Sequence, residues 1–385
     1  MKPILTGVKV LEFGSYIAGP LAAMLLADQG AEVIKVERPT GDPYRKMPGF
    51  VVWNRGKRSI TLDLKQAEGQ EIAQVLAKGS DVVIHNCKPG VPEQLGIGYA
   101  TLAGLNPRLI YCSVTGFGES GPYRDEPGWD PLVLSRTFTY LSQGGSLERP
   151  VYLVFPLASY YGAMMASFST ATALFVREIT GRGQKVEVPL LNVMTAVEHQ
   201  TLFDVEGKAR LPWLPQGAMP LYRLHKASDG QWFFLALGNY SFFTKFALLM
   251  DKEEWLIDPL FEGAPMAILP PRSYEVEKVM VELIATKTRD EWLALLREAD
   301  IPCAPVKRVD EYLDDPQIAA NEMVVELDDP NVGPVRQMGI PIKFSLTPGT
   351  IKGPSPKLGQ HTDEVLTEIG LSATAIAELR AKRIV

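Results

Sequence analysis

Five of the six residues from 54 to 59, namely Asn54, Arg55, Lys57, Arg58 and Ser59, carry side chains able to donate to phosphate oxygens. They open a run, Ser59 to Leu64, that alternates like a strand, so the donors cluster at a strand mouth, where an anion can be held. The plain alternative is a basic loop facing water. Arg38 follows Glu37 at the end of a buried-type run, Glu32 to Val36. A guanidinium there suits a phosphate better than a ribose diol, with a solvated charge pair as the alternative. Asn86-Cys87-Lys88-Pro89-Gly90 is a turn with a cation inside it, and Thr115 to Tyr123 is a glycine-spaced loop that permits close approach of a ligand to backbone. Cys87, Cys112 and Cys303 lie far apart, which fits reduced thiols. The histidines, His85, His199, His225 and His361, show no metal-ligand spacing, so no metal site is expected.

These groups need a frame, and residues 8 to 38 provide its first unit. Val8 to Phe13 reads as a strand, Ala18 to Ala27 as a helix ended by Gly30, and Glu32 to Val36 as a second strand. Two parallel strands joined by one helix cannot cover both faces of a sheet, so further crossovers must follow. Ala67 to Ala77 has helical spacing, Asp81 to His85 and Leu109 to Val114 are strand-like, and Leu95 to Asn106 is a helical connector. The fold class expected is α/β with a Rossmann-like parallel sheet. The turn Gly14 to Pro20 lies at the carboxyl end of the first strand, where open α/β sheets bind ligands. It offers only Gly14 and Gly19. It therefore does not spell the dinucleotide fingerprint, and NAD is not expected.

Further along, Thr195 to Val205 reads as a linker helix and Tyr222 to Leu237 as a hairpin about Asp229-Gly230. Glu275 to Ala285 and Arg289 to Ala299 are amphipathic helices, which gives a small α+β domain over 210–325 between a large domain at 1–195 and a return to it at 330–385. The charge balance, 39 basic against 45 acidic residues for a net of −6, argues against nucleic acid as a partner. No signal-peptide pattern and no run of about 18 apolar residues is present, so no membrane partner and a cytoplasmic location are expected.

Taken together, Tyr16-Ile17-Ala18-Gly19-Pro20, the 54–59 cluster, Asn86 to Gly90 and Thr115 to Tyr123 stand in an order and spacing that resemble the class III CoA-transferases, the CaiB/BaiF family. The likeness continues through Thr180-Gly181-Arg182-Gly183-Gln184, Pro220-Leu221-Tyr222-Arg223, Ile301 to Val306 and Gly359 to Leu366. It implies a Rossmann-like large domain built from both chain ends, a smaller middle domain and a homodimer of two interlocked rings, with a heterodimer of paralogous subunits as the alternative. It also implies coenzyme A as substrate, its phosphates and adenine met by Arg38, Asn86 and Lys88 with Gly90 in their turn and Arg55, Lys57 and Arg58 near.

In that family an aspartate opening the helix after Phe155-Pro156 attacks the donor thioester, giving a mixed anhydride and then an aspartyl-CoA thioester that the acceptor carboxylate cleaves. Here no acid occurs between Glu148 and Glu178, and the expected aspartate falls on Ala158, Ser159 or Tyr160. The racemase branch uses a Gly-His-Asp run, matched by Gly128-Trp129-Asp130, and Trp129 cannot take a proton. Asp130 stands alone, with catalysis and capping of a helix at Pro131 as its two readings. The stretch Trp213 to Pro220, including Gln216 and Gly217, has one glycine where transferases of the formyl-CoA type have a run of them.

Three functions follow from the resemblance. The first is a nucleophile-lacking subunit of a heteromeric CoA-transferase, acting on an acyl-CoA and a carboxylic acid and paired with a paralogous subunit that carries the aspartate. The second is an acyl-CoA isomerase, racemase-like enzyme or hydratase using Asp130, Ser159 or Tyr160. The third is a non-catalytic acyl-CoA binder.

Overall fold

The computed structural model describes residues 1–142, 150–198, 206 and 219–385. The chain divides into two compact units, Met1–Thr137 with Leu153–His199 and Pro316–Val385 as one, Phe138–Tyr152 with Gln200–Asp315 as the other. The first unit thus holds both chain ends.

Its centre is a six-stranded sheet of β1 (Lys9–Glu12), β2 (Glu32–Glu37), β3 (Arg58–Thr61), β4 (Val82–His85), β5 (Ile110–Thr115) and β6 (Lys185–Pro189). All neighbours pair in parallel, in the order β3-β2-β1-β4-β5-β6. That is the doubly wound order with its switch point between β1 and β4, and it bears out the expected Rossmann-like α/β class. Helices Ala18–Asp28 and Ala67–Lys78 fall within a residue of the expected spans. β5 is buried at every position, as a central strand covered on both faces must be.

The longest helix, Leu157–Thr180, buries Ala158, Ser159, Gly162, Ala163, Ala166, Thr170 and Ala173. This small-residue stripe, spaced three and four apart, lets it pack on helix Ala18–Asp28 and on β5. Gly181, with φ of 72°, ends it by donating its N–H to the Arg177 carbonyl at 2.8 Å. Phe168, Phe175 and Ile179 stand exposed on the opposite face.

Two segments differ from expectation. The helix here is Leu190–Val197, so it starts earlier than the linker helix read from Thr195, and residues 199–205 of that reading lie outside the described residues. The chain enters the return segment through an antiparallel hairpin of β10 (Val324–Asp329) and β11 (Gly333–Met338).

The second unit carries an antiparallel sheet of β7 (Tyr222–Lys226), β8 (Trp232–Ala236) and β9 (Cys303–Pro305), with helices Tyr240–Leu249, Arg272–Ile284 and Arg289–Glu298 packed on it around Phe233, Phe246, Met280 and Trp292. Thr288 and Glu291 close a capping box at the last of these helices. His199, Gln216 and Gly217 lie outside the described residues, as does the rest of 211–218.

Candidate functional site

A cavity of about 270 Å³ opens in the first unit at the carboxyl ends of β1, β4 and β5. Ser15 and Tyr16 from the first turn, Asn86 and Lys88 from the turn after β4, Gly116 and Trp129 from the loop after β5, and Ser159 from the long helix line it. This is the crevice beside the switch point, where the strand order alone places a ligand.

The first turn is held from beneath by ions that the sequence reading did not pick out. Glu12 and Lys35 are fully buried neighbours on β1 and β2. Glu12 Oε1 accepts the Gly14 N–H at 2.8 Å, and Lys35 donates to the Gly14 carbonyl at 2.8 Å and pairs with Asp42 at 3.1 Å. Burial opposes the Lys35 charge, and the carboxylates of Glu12 and Asp42 more than restore it, so its pKa lies above the ordinary value. From above, Asn86 clasps the same turn, its Oδ1 accepting from Ser15 N–H at 2.9 Å and its Nδ2 donating to the Ser15 carbonyl at 2.8 Å. Tyr16 is thereby fixed at φ of 65°, a left-handed conformation that a tyrosine rarely adopts, with its ring 4.8 Å from that of Tyr44 and 6.3 Å from that of Trp129. A charged residue inside an apolar strand, Glu12 in VKVLEF and Lys35 in EVIKVE, is the signal that could have revealed this layer.

Arg55 and Lys57, expected at a phosphate, face inward instead. Arg55 is fully buried, its Nη2 2.6 Å from Asp28 Oδ2 and its Nη1 donating to the Met338 carbonyl. Lys57 spends its three donors on Glu12 at 2.9 Å, the Pro20 carbonyl at 2.8 Å and Asn54 at 2.9 Å. A carboxylate inside the protein competes for such donors as well as a phosphate outside it, and the interior pairing wins here because neither charge can be left buried alone. Burial pulls the Lys57 pKa down to about 8. Arg58 is held by Glu364 at 3.0 Å and Glu368 at 2.7 Å.

Arg38 and Lys88 are both exposed, at the ends of β2 and of the turn after β4, and neither forms an ion pair among the described residues. Gly90 closes that turn at φ of 83°, with nothing within 4 Å of where a Cβ would stand. Of the residues expected at the site, the cavity brings together Asn86, Lys88 and Ser159; Arg38, Arg55, Lys57, Arg58 and Gly90 do not line it.

Asp130 is the first residue of helix Asp130–Ser135, yet its side chain turns away to the long helix. Oδ1 accepts the Ser159 N–H at 2.8 Å and Oδ2 the Ser159 hydroxyl at 2.6 Å. Asp130 thus caps from outside a helix whose own N-cap, Pro156, has no side-chain acceptor. Tyr160, next in sequence, is half-buried; burial raises its pKa, while a hydrogen bond from Trp53 opposes the rise. Glu126, a carboxylate that does line the cavity, is tied to Arg136 at 2.6 Å. Burial pushes the Cys87 thiol up to about 11, which leaves it protonated and a poor nucleophile at neutral pH. No cluster of three or more metal-ligating acids, histidines or cysteines occurs among the described residues, and none of their helices is long and apolar enough to cross a membrane.

With this geometry in hand, comparison with known proteins is direct. Residues 5–362 match the model of CoA-transferase family III, and the chain belongs to that family. It is 30% identical over 395 residues, covering 99% of this chain and 98% of the relative, to a succinyl-CoA–D-citramalate CoA-transferase of Chloroflexus aurantiacus. It is 30% identical over 399 residues, 99% of this chain and 92% of the relative, to the alpha subunit of a succinyl-CoA–L-malate CoA-transferase of the same organism. Among solved structures, a CaiB/BaiF family protein from Brucella suis superposes with a TM-score of 0.84 at 31% identity, over 96% of this chain and 100% of that one.

Proposed function

We propose that this chain is the nucleophile-lacking, cytoplasmic subunit of a heteromeric family III CoA-transferase, moving CoA between an acyl-CoA and a carboxylic acid together with a paralogous subunit that supplies the attacking carboxylate. The carrier lies across the carboxyl ends of the sheet, with Arg38 and Lys88 on its phosphates and Asn86 and Gly90 shaping the turn beneath it. Neither a metal nor a nicotinamide takes part, since acyl exchange through an anhydride needs only a carboxylate and a thiolate leaving group.

One observation carries this reading. Of the three positions on which the family's aspartate would fall, Ser159 is the one that lines the cavity, and its hydroxyl donates to Asp130 at 2.6 Å. Asp130 in turn uses both oxygens on Ser159. So engaged, Asp130 serves as the outside cap of the long helix. The exposed apolar side chains of Phe168, Phe175 and Ile179 support an assembly larger than one chain.

The test is CoA exchange between a dicarboxylyl-CoA and a free acid, measured for the purified chain, for its paralogous subunit and for the two together. The reading requires tight CoA binding by this chain, no exchange by it alone, and exchange by the pair. Exchange by this chain alone defeats the subunit assignment; absence of CoA binding defeats the site.

A further inference from the structure

Resting on the reading of the cavity as an acyl-CoA site, we infer that Arg124 anchors a terminal carboxylate on the acyl group, so that the preferred substrate is the CoA thioester of a dicarboxylic acid. Among the described residues, three charged side chains line the cavity: Lys88, Arg124 and Glu126. Glu126 is neutralised by Arg136 at 2.6 Å. Two cations remain, in a chain whose net charge is −6. Lys88 sits in the turn after β4, on the side assigned to the carrier's phosphates. Arg124 comes from a different element, the loop after β5, which six residues later supplies Asp130 and through it the position of Ser159. Arg124 and Ser159 both line the cavity, which puts this cation in the same pocket as the reacting end of the thioester.

The loop that carries Arg124 is braced. A Cβ on Gly116 would fall 2.4 Å from the Cα of Gly128, so the two ends of the loop touch backbone to backbone. Arg136 lies 3.9 Å from the ring centre of Tyr123 while holding Glu126, which fixes the residues on either side of Arg124. Within that frame the guanidinium's one acidic partner among the described residues is its chain neighbour Asp125, at 3.4 Å from Nε. The Asp125 side chain is 84% exposed, so water screens the pair and it holds the arginine only weakly. The terminal nitrogens keep the planar fork that binds a carboxylate through two parallel bonds.

Calorimetric titration with two unreactive thioethers, S-(3-carboxypropyl)-CoA and S-butyl-CoA, tests this on the full chain. They match in length and differ in the terminal carboxylate. The unaltered protein should bind the carboxypropyl form roughly 10- to 100-fold more tightly, the range expected of one charge-assisted bidentate contact. Arg124→Gln should remove that preference and leave S-butyl-CoA binding unchanged, while Lys88→Met should weaken both ligands alike. Equal affinity of the unaltered protein for the two thioethers overturns the inference, as does a preference that survives Arg124→Gln. If neither thioether binds, the acyl-CoA reading falls first and this inference with it.

Discussion

Ser159 donates its hydroxyl proton to Asp130 at 2.6 Å and its backbone N–H to the same carboxylate at 2.8 Å. The pair lies 29 residues apart in sequence and joins the loop after β5 to the N-terminus of the longest helix. One acid thereby satisfies an orphan amide, answers the positive end of a helix dipole and fixes the side chain that faces the cavity.

Removing that acid should be felt as a lost cap. Asp130→Ala should lower unfolding stability by about 1–3 kcal/mol, because a buried N–H and a buried hydroxyl both lose their acceptor. Asp130→Asn retains an acceptor oxygen and should recover most of the loss. Urea denaturation of the three proteins, followed by near-ultraviolet circular dichroism, separates these outcomes; equal loss in both variants would count against the capping role.

The contact between Gly116 and Gly128 makes a second, sharper expectation. Gly116→Ala puts a methyl 2.4 Å from backbone that has no side-chain end to swing aside. The loop carrying Arg124 must then open, so CoA-ester affinity should fall while the fold survives. Substitution at Gly104, where a Cβ would meet nothing within 4 Å, is the matched control and should be silent.

Acid should weaken the first unit through His85. Burial holds its folded pKa down at about 4, against about 6.5 in the unfolded chain. Between those values the unfolded state binds more protons than the native one, so stability falls as pH drops from 6.5 toward 4 and is unaffected by this group above 6.5. Unfolding free energies of the native protein and of His85→Gln, compared from pH 7.5 to 4.5, should converge as pH falls. A constant difference would mean that His85 is not the neutral group described.

Much of the frame was legible in sequence because it rests on local pattern. The runs around Val10, Val33, Ile60, Val83 and Tyr111 could only be buried strands, and the helix between Ala18 and Gly30 could only cross them in parallel. The hairpin at 324–338 was hidden by its proline and glycine content, although Val324 to Asp329 and Gly333 to Met338 flank a tight turn of Pro330, Asn331 and Val332. The partners of Arg55 and Lys57 were not legible. An arginine before a strand looks the same whether it meets a phosphate outside or Asp28 inside, and Asp28 and Glu12 stand 27 and 45 residues away from the side chains they neutralise. For the same reason the site reading found Asp130 and Ser159 separately, and only the fold joined them.

The central claim concerns what this cavity does not contain. The purified chain, incubated with a dicarboxylyl-CoA labelled in its acyl group, stripped of unbound thioester by gel filtration and then treated with hydroxylamine, should release no labelled hydroxamate. The same treatment of Ser159→Asp, which returns a carboxylate to the helix N-terminus, should release one from the enzyme-bound mixed anhydride. Hydroxamate from the unaltered chain, absent from a Ser159→Ala variant, would show that Ser159 itself accepts the acyl group and would contradict the account.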